Sequence, residues 1–183
     1  MAPDDLYIDR NVIINNIVTR TSVRAYDHSR TIDTATVETI LRAAMSAPTA
    51  VNRRPWVFIV VTDAQSLSKL GAALPYAKMT AQAPMAIVVC GDSARFLHGE
   101  DSTLWVQDLS AASENLLLAA HAYGLGAVWT ALYPHPDRQQ AVASLLSLPD
   151  AIIPFNVIPI GYPLMPHAPL DKWDPSRIHY NHW

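Results

Sequence analysis

The chain has 183 residues, of which 50% are hydrophobic and 16% charged, with a formal net charge of −3. That balance is too apolar for disorder, and no acidic or basic block is present, so composition argues against a nucleic-acid or anionic-membrane partner. A single cysteine rules out an intrachain disulfide and fits a reducing cytosol. One domain spanning 1–183 is expected, since folding at this length buries roughly 70% of the extended-chain surface. The composition is rather apolar for a lone monomer, which predicts a buried subunit interface. Met1 to Arg10 carries Asp4, Asp5 and Asp9 and no apolar core, so it does not read as a signal peptide. The apolar runs fall short of the ~20 residues that span a bilayer, and a cytoplasmic location is expected.

A first helix is predicted near Asp9–Val18, followed by a polar stretch, Thr19–Thr31. Asp33 reads as an N-cap, with Val37, Ile40, Leu41 and Ala44 on one helical face and a stop before Pro48. Trp56–Thr62 reads as a strand opened by Pro55, and Ser66–Ala73 as a short helix ended by Pro75. Met85–Cys90 is a continuous apolar run, hence a buried strand, which makes Cys90 a core residue and not a nucleophile. Asp101 or Ser102 is the expected cap of the longest helix, which runs to Tyr123 and stops at Gly124. This helix is apolar or small nearly all round, which predicts burial at the centre of the fold. Ala127–Leu132 reads as a strand, Asp137–Ser147 as a helix and Phe155–Ile160 as the last core strand. Beyond Gly161 lie Pro163, Pro166, Pro169 and Pro175 without periodicity, and the terminal Tyr180 and Trp183 suggest docking on a partner subunit. The fold class is α+β.

Three segments carry chemistry-bearing residues. Arg20-Thr21-Ser22-Val23-Arg24 sets two guanidinium groups four positions apart around a hydroxyl, which suits a phosphate or an anionic ring; taken alone, the segment reads first as a solvated basic turn. Ala47-Pro48-Thr49-Ala50-Val51-Asn52-Arg53-Arg54-Pro55-Trp56 is small enough for a backbone to approach a flat ligand, and Asn52 both donates and accepts; a proline-punctuated connection is the alternative. Gly124-Leu125-Gly126-Ala127-Val128-Trp129-Thr130-Ala131-Leu132 is a helix stop running into a strand, and lacks the spacing of a phosphate-binding loop.

In this order and at these separations the three segments resemble the nitroreductase family of flavoproteins. Ala83-Pro84, Ile160-Gly161-Tyr162-Pro163 and Asp171-Lys172-Trp173 extend the resemblance over nearly the whole chain. It implies a central mixed or antiparallel sheet of four to five strands flanked by helices, in an intertwined homodimer with FMN at the interface. It further implies that Arg20 and Lys172, with Arg177, hold the FMN phosphate. Thr21, Ser22 and Arg24 would follow the cofactor, the last two along the pyrimidine edge, with Lys78 near that side. Pro48, Thr49, Ala50 and Asn52 would come from the other subunit. Trp129, Thr130, Ala131 and Leu132 would flank the ring, one backbone amide facing N5. A guanidinium at the pyrimidine edge favours the reduced cofactor electrostatically, and the hydride chemistry belongs to the cofactor, so no catalytic side chain is expected.

The implied activity is transfer of hydride from NADH or NADPH to a nitroaromatic, quinone or similar small acceptor. Other flavin chemistry (dehydrogenation, dehalogenation, flavin cleavage) and non-catalytic flavin binding are the alternatives. Where many members carry an acidic residue or glycine, Ala131 and Leu132 are apolar, and Arg54 stands where glutamine is common, which favours an anionic donor or substrate. The scattered histidines lack the compact spacing of a metal site, so no metal is expected. Asp108 and Glu114 read as solvated or capping carboxylates, His121 as a satisfied core or interface residue, Trp56 and Trp129 as core, and Trp105 as a candidate lid residue.

Overall fold

The structure, a computed structural model, describes residues 10–183; the Met1–Asp9 segment and the predicted helix start at Asp9 lie outside the described residues. The first helix, α1, spans Arg10–Thr19. It is tied to the helix α4 (Leu104–Ala122) by Asn16, whose Nδ2 donates to the Leu118 carbonyl at 3.0 Å. Much of its apolar surface remains open: Val12, Ile14 and Val18 are 64%, 57% and 59% exposed. The helix α2 (Thr34–Met45) begins as predicted, with an Asp33 carboxylate oxygen accepting from the Thr36 amide at 2.8 Å, and it buries Ile40 and Ala44.

Strand β1 (Trp56–Val61) leads into α3 (Ala64–Ala73), which starts two residues before the predicted Ser66. Asp63 is the reason: its side chain caps the helix by accepting from the Ser66 amide. Strand β2 (Met85–Asp92) is followed by 3₁₀ turns and then α4. Neither Asp101 nor Ser102 caps α4. Both are wound into the 3₁₀ turn Gly99–Thr103, whose backbone satisfies Leu104 N–H through the Asp101 carbonyl. At the other end Gly124 takes φ +70, and the Leu125 amide returns to the Ala120 carbonyl at 3.0 Å.

The predicted strand Ala127–Leu132 is in fact two short ones, β3 (Gly126–Ala127) and β4 (Thr130–Ala131). Both pair with β5 (Ile152–Gly161) in one register, Ala127 opposite Ile160 and Thr130 opposite Val157. The ladder lapses between them because that register sets Pro159, which has no N–H, opposite Val128. Strand β5 itself is longer than the predicted Phe155–Ile160, its first residues Ile152, Ile153 and Pro154 pairing with Asp92, Gly91 and Cys90. The helix α5 (Pro136–Leu145) between β4 and β5 opens with proline in its first turn.

Among the described residues the five strands form one sheet, ordered β1-β2-β5-β3 with β4 also on β5, every pair antiparallel. Strand β2 sits inside it and is buried on both faces. Met85, Ile87 and Val89 join the cluster under α2 and α4, while Ala86, Val88 and Cys90 join the one under α3 and α5. The two-residue alternation of a strand therefore serves two cores at once. Cys90 is fully buried, and desolvation pushes its thiol up to about 12, as a core residue requires.

One close approach sets the position of the early basic segment. The Val23 amide donates to the Ala127 carbonyl at 3.0 Å, laying the segment beside β3, and a Cβ on Gly126 would come within 2.6 Å of the Val23 side chain. Gly126→Ala is expected to cost about 1–3 kcal/mol by overpacking. The check is urea unfolding followed by circular dichroism: the midpoint should fall at unchanged slope, and an unaltered midpoint would contradict the contact.

Candidate functional site

Nine of the fifteen predicted site residues line three separate concavities, each built by different elements. The first, about 640 Å³, lies where α1 ends beside α4 and the C-terminal tail, and is lined by Arg20, Glu114, Asp171, Lys172 and Trp173. Arg20 is oriented by an ion pair, its Nε 3.4 Å from a Glu114 carboxylate oxygen. Asp171 is occupied locally, one carboxylate oxygen accepting from the Trp173 amide at 2.9 Å. Lys172 enters no ion pair among the described residues. Below Arg20, His121 shares a 2.9 Å hydrogen bond with the Thr19 hydroxyl; burial, and secondly the charge of Arg20, lower its pKa below the usual imidazole range. His121 is thus the satisfied histidine expected.

The second concavity, about 500 Å³, is lined by Arg24, Tyr76, Trp129, Thr130, Ala131 and Arg138 among others. Here two of the three predicted segments meet, because Ser22 bridges Ala127 and Tyr26 pins the chain beyond it. The Tyr26 hydroxyl lies 2.6 Å from the Val23 carbonyl and 3.2 Å from that of Pro159. Its burial raises its pKa, against a smaller opposing pull from Arg24. Leu132 is fully buried, and its amide is spent on the Phe155 carbonyl at 3.0 Å. Amides alternate direction along an antiparallel strand, so the neighbouring Ala131 N–H points away from β5, on the side where Ala131 is exposed. Among Thr130, Ala131 and Leu132, Ala131 is therefore the donor on offer. Lys78 is exposed in the 3₁₀ turn Lys78–Gln82, its neighbours Ala77 and Met79 lining the cavity.

The third concavity, about 400 Å³, is lined by Pro48, Thr49, Ala50, Gln107 and Asp108 among others. The chain here is under conformational strain, with positive φ at Val51, Asn52 and Arg54, none of them glycine. Two side chains help hold it: a carboxylate oxygen of Asp108 accepts from the Ala50 amide at 2.8 Å, and the Thr49 hydroxyl accepts from the Arg54 amide at 3.1 Å. Arg54 Nε in turn donates to Asn52 Oδ1 at 2.8 Å, so that acceptor is already engaged. Thr21 is half-buried and Ser22 exposed on the segment between the first two concavities. Arg177 stands apart in the tail, paired with Asp174 at 2.8 Å.

Two expectations need correction. Asp108 is neither solvated nor a helix cap; it is buried and fastens the 48–54 loop to α4. Glu114 is solvated as expected, and in addition it steers Arg20. Trp105 is no lid: it is buried, stacked on Phe96 at 4.6 Å between centroids, with its edges against Tyr133 and Phe155. Trp129 is both wall and core, lining the second concavity with its ring packed edgewise on Phe155 at 5.5 Å. Sequence reasoning missed Tyr76 and Arg138, which carry no motif and meet Arg24 only through the fold. A further groove of about 410 Å³ between α5 and β5 holds none of the predicted residues, and Asp150 is its one ionisable side chain.

Comparison with known proteins places the fold among relatives. The model of the nitroreductase family matches residues 17–75 and 66–162. A protein of Methanothermobacter thermautotrophicus, provisionally named NADH dehydrogenase/NAD(P)H nitroreductase, is 46% identical over 171 residues, covering 93% of this chain and 87% of its own. A crystal structure from Parabacteroides distasonis with the same provisional name superposes with a TM-score of 0.89 at 45% identity, over 95% of this chain and all of that one. Another, provisionally named a nitroreductase and crystallised in complex with FMN, comes from Desulfovibrio desulfuricans; it is 27% identical with a TM-score of 0.79, over 95% of this chain and 99% of its own. With its fold, its motifs and both kinds of relative in accord, the chain belongs to the nitroreductase family of oxidoreductases.

Proposed function

We propose that this protein is an FMN-dependent enzyme that takes hydride from NADH or NADPH and delivers it to a small nitroaromatic, quinone or similar acceptor. It would act in the cytoplasm as a homodimer of single-domain subunits. The observation that carries the reading is the division of most of the predicted FMN residues among three concavities of one chain, two cationic and one lined by Pro48, Thr49 and Ala50 at the start of the strained loop. A site split in this way is incomplete within a subunit and becomes whole when a second copy brings its loop to the cationic walls. The exposed apolar side of α1 supports the same assembly. Val12, Ile13 and Ile17 border a groove of about 550 Å³ against α2 and α4, a surface that favours burial over water.

The residues present suit FMN. Arg20 and Lys172 supply charged donors for a phosphate, Glu114 fixing the first of them without consuming its terminal nitrogens. Arg24 supplies positive charge where a reduced isoalloxazine needs it, and the outward amide of Ala131 is a donor that needs no reorientation. FMN, when bound, supplies the hydride chemistry. The protein orients, through the Val23–Ala127 bond that carries Arg24 and through the Asp108–Ala50 bond that holds the loop. It also excludes water with the apolar wall of Val128 and Trp129. Among the described residues no helix is long and apolar enough to cross a membrane.

The deciding experiment is the visible spectrum of the purified protein incubated with FMN, before and after anaerobic NADH or NADPH. Flavin bands that co-purify and bleach are expected; no flavin uptake would sink the proposal. Arg20→Gln and Lys172→Gln should each weaken FMN binding about tenfold, the loss of one charge-assisted hydrogen bond, in fluorescence titrations with riboflavin as the phosphate-free control. Riboflavin binding weakened equally would remove both from the phosphate. Sedimentation velocity should give a dimer, and Ile13→Glu with Ile17→Glu a monomer that no longer retains FMN. A wild-type monomer would overturn the shared site.

A further inference from the structure

Two cations face the second concavity, and the cofactor reading uses only one of them. Arg20, Arg42, Arg95 and Arg177 each have a carboxylate partner. Arg24 and Arg138 line the same 500 Å³ cavity, and neither has a carboxylate within ion-pair distance among the described residues. Arg138 stands in the first turn of α5, whose start is pinned by Pro136 and by the Gln139 amide donating to the His135 carbonyl at 3.1 Å. One of its terminal nitrogens donates to the carbonyl of Ala131 over a long 3.4 Å, and its guanidinium carbon lies 5.5 Å from the centroid of the Tyr76 ring. A guanidinium has five N–H donors in a planar fork, so most of that capacity is uncommitted. An aromatic ring across the cavity steadies the cation without neutralising it. Tyr76 itself is 73% exposed.

Placement gives this charge its meaning. Arg138 bonds the carbonyl of the same residue, Ala131, whose amide points off the sheet edge where the cofactor ring is proposed to lie. A molecule stacked on that ring would bring its substituents to Arg138. An unpaired fork beside a concave wall attracts an oxyanion and binds it through two parallel donors. We infer that Arg138, backed by Tyr76, is the receptor for an oxyanion, a carboxylate or a phosphate, carried by the substrate. It is a specificity-determining residue that makes this enzyme prefer anionic to neutral substrates. The inference rests on the FMN reading above, which assigns Arg24 to the cofactor and leaves Arg138 to the substrate. The oxyanion has two sources, a carboxylate on the aromatic acceptor or the pyrophosphate of the nicotinamide donor.

The test is equilibrium binding to the oxidised, FMN-loaded protein with no turnover, read as the change in the flavin spectrum or as heat. The probes are 4-nitrobenzoate, its neutral counterpart 4-nitrobenzamide, and NAD⁺. In the wild type, 4-nitrobenzoate should bind about tenfold tighter than the amide, the worth of one charge-assisted contact, and Arg138→Gln should erase the preference while Arg138→Lys keeps part of it. If Arg138→Gln instead weakens NAD⁺ about tenfold and spares both nitro compounds, the oxyanion is the donor's pyrophosphate and the receptor stands. All three probes within twofold between wild type and Arg138→Gln would overturn it. So would an Arg138→Gln protein that loses FMN itself by a comparable factor, since the residue would then serve the cofactor. A wild-type chain that takes up no FMN would overturn the functional reading first, and this inference with it.

Discussion

The closeness of Val23 to Gly126 is the constraint on which the site depends. Only a residue without a side chain lets the early segment lie against the sheet edge, and the hydrogen bond from Val23 to Ala127 then fixes its register. From that point Arg20 reaches one way, toward Glu114 and the tail, and Arg24 reaches the other, toward Ala131 and Arg138. A slip of one residue would exchange Val23 for a polar neighbour and turn both arginines off their walls. Tyr26 guards against this slip, its hydroxyl spanning the segment's own backbone and β5. A buried phenol held between two carbonyls is costly to displace, because its group would lose partners without gaining water.

Behind this edge the protein is rigid where the chemistry needs a fixed wall and open where a second copy is proposed to complete it. Strand β2 feeds two cores with alternate side chains, and β5 carries β2 on one side and the short strands β3 and β4 on the other. The apolar surplus in the composition is accounted for only in part by these cores. The remainder is concentrated on α1 and in the tail, where Leu170, Trp173, Tyr180 and Trp183 are largely exposed. A monomer would leave most of this apolar surface in water, which is the physical case for an assembled state.

Much of this was legible in the sequence, for definable reasons. The α2 helix with its Asp33 cap, the doubly buried β2 and the glycine stop of α4 are local features, written in spacing and in the chemistry of single residues. The motif segments were legible as well, because each is contiguous. The larger errors arose where a distant residue decides the outcome, whereas the start of α3 and the cap of α4 were missed for local reasons. The break between β3 and β4 follows from Pro159 across the ladder, which no inspection of residues 127–132 would reveal. Asp108 looked like a surface carboxylate because its partner is a backbone amide far away in the chain, and Trp105 looked available because Phe96, Tyr133 and Phe155 converge on it only in space. Arg138 and Tyr76 belong to the same class, being ordinary residues given a shared wall by the fold.

Asp108 and Glu114 also make α4 a mechanical part. One fastens the 48–54 loop and the other aims Arg20, and they lie on the same helix six positions apart. Six positions in an α-helix amount to about 9 Å of rise and about 240° of rotation. The helix therefore works as a crankshaft, two throws set at a fixed angle and pitch by backbone hydrogen bonds alone. Adding or removing a single residue between them would turn one throw by about 100° relative to the other and disengage a loop from an arginine that never touch. Side chains along this stretch are free to vary in size and charge only so far as the packing allows, but its length is not free to vary at all.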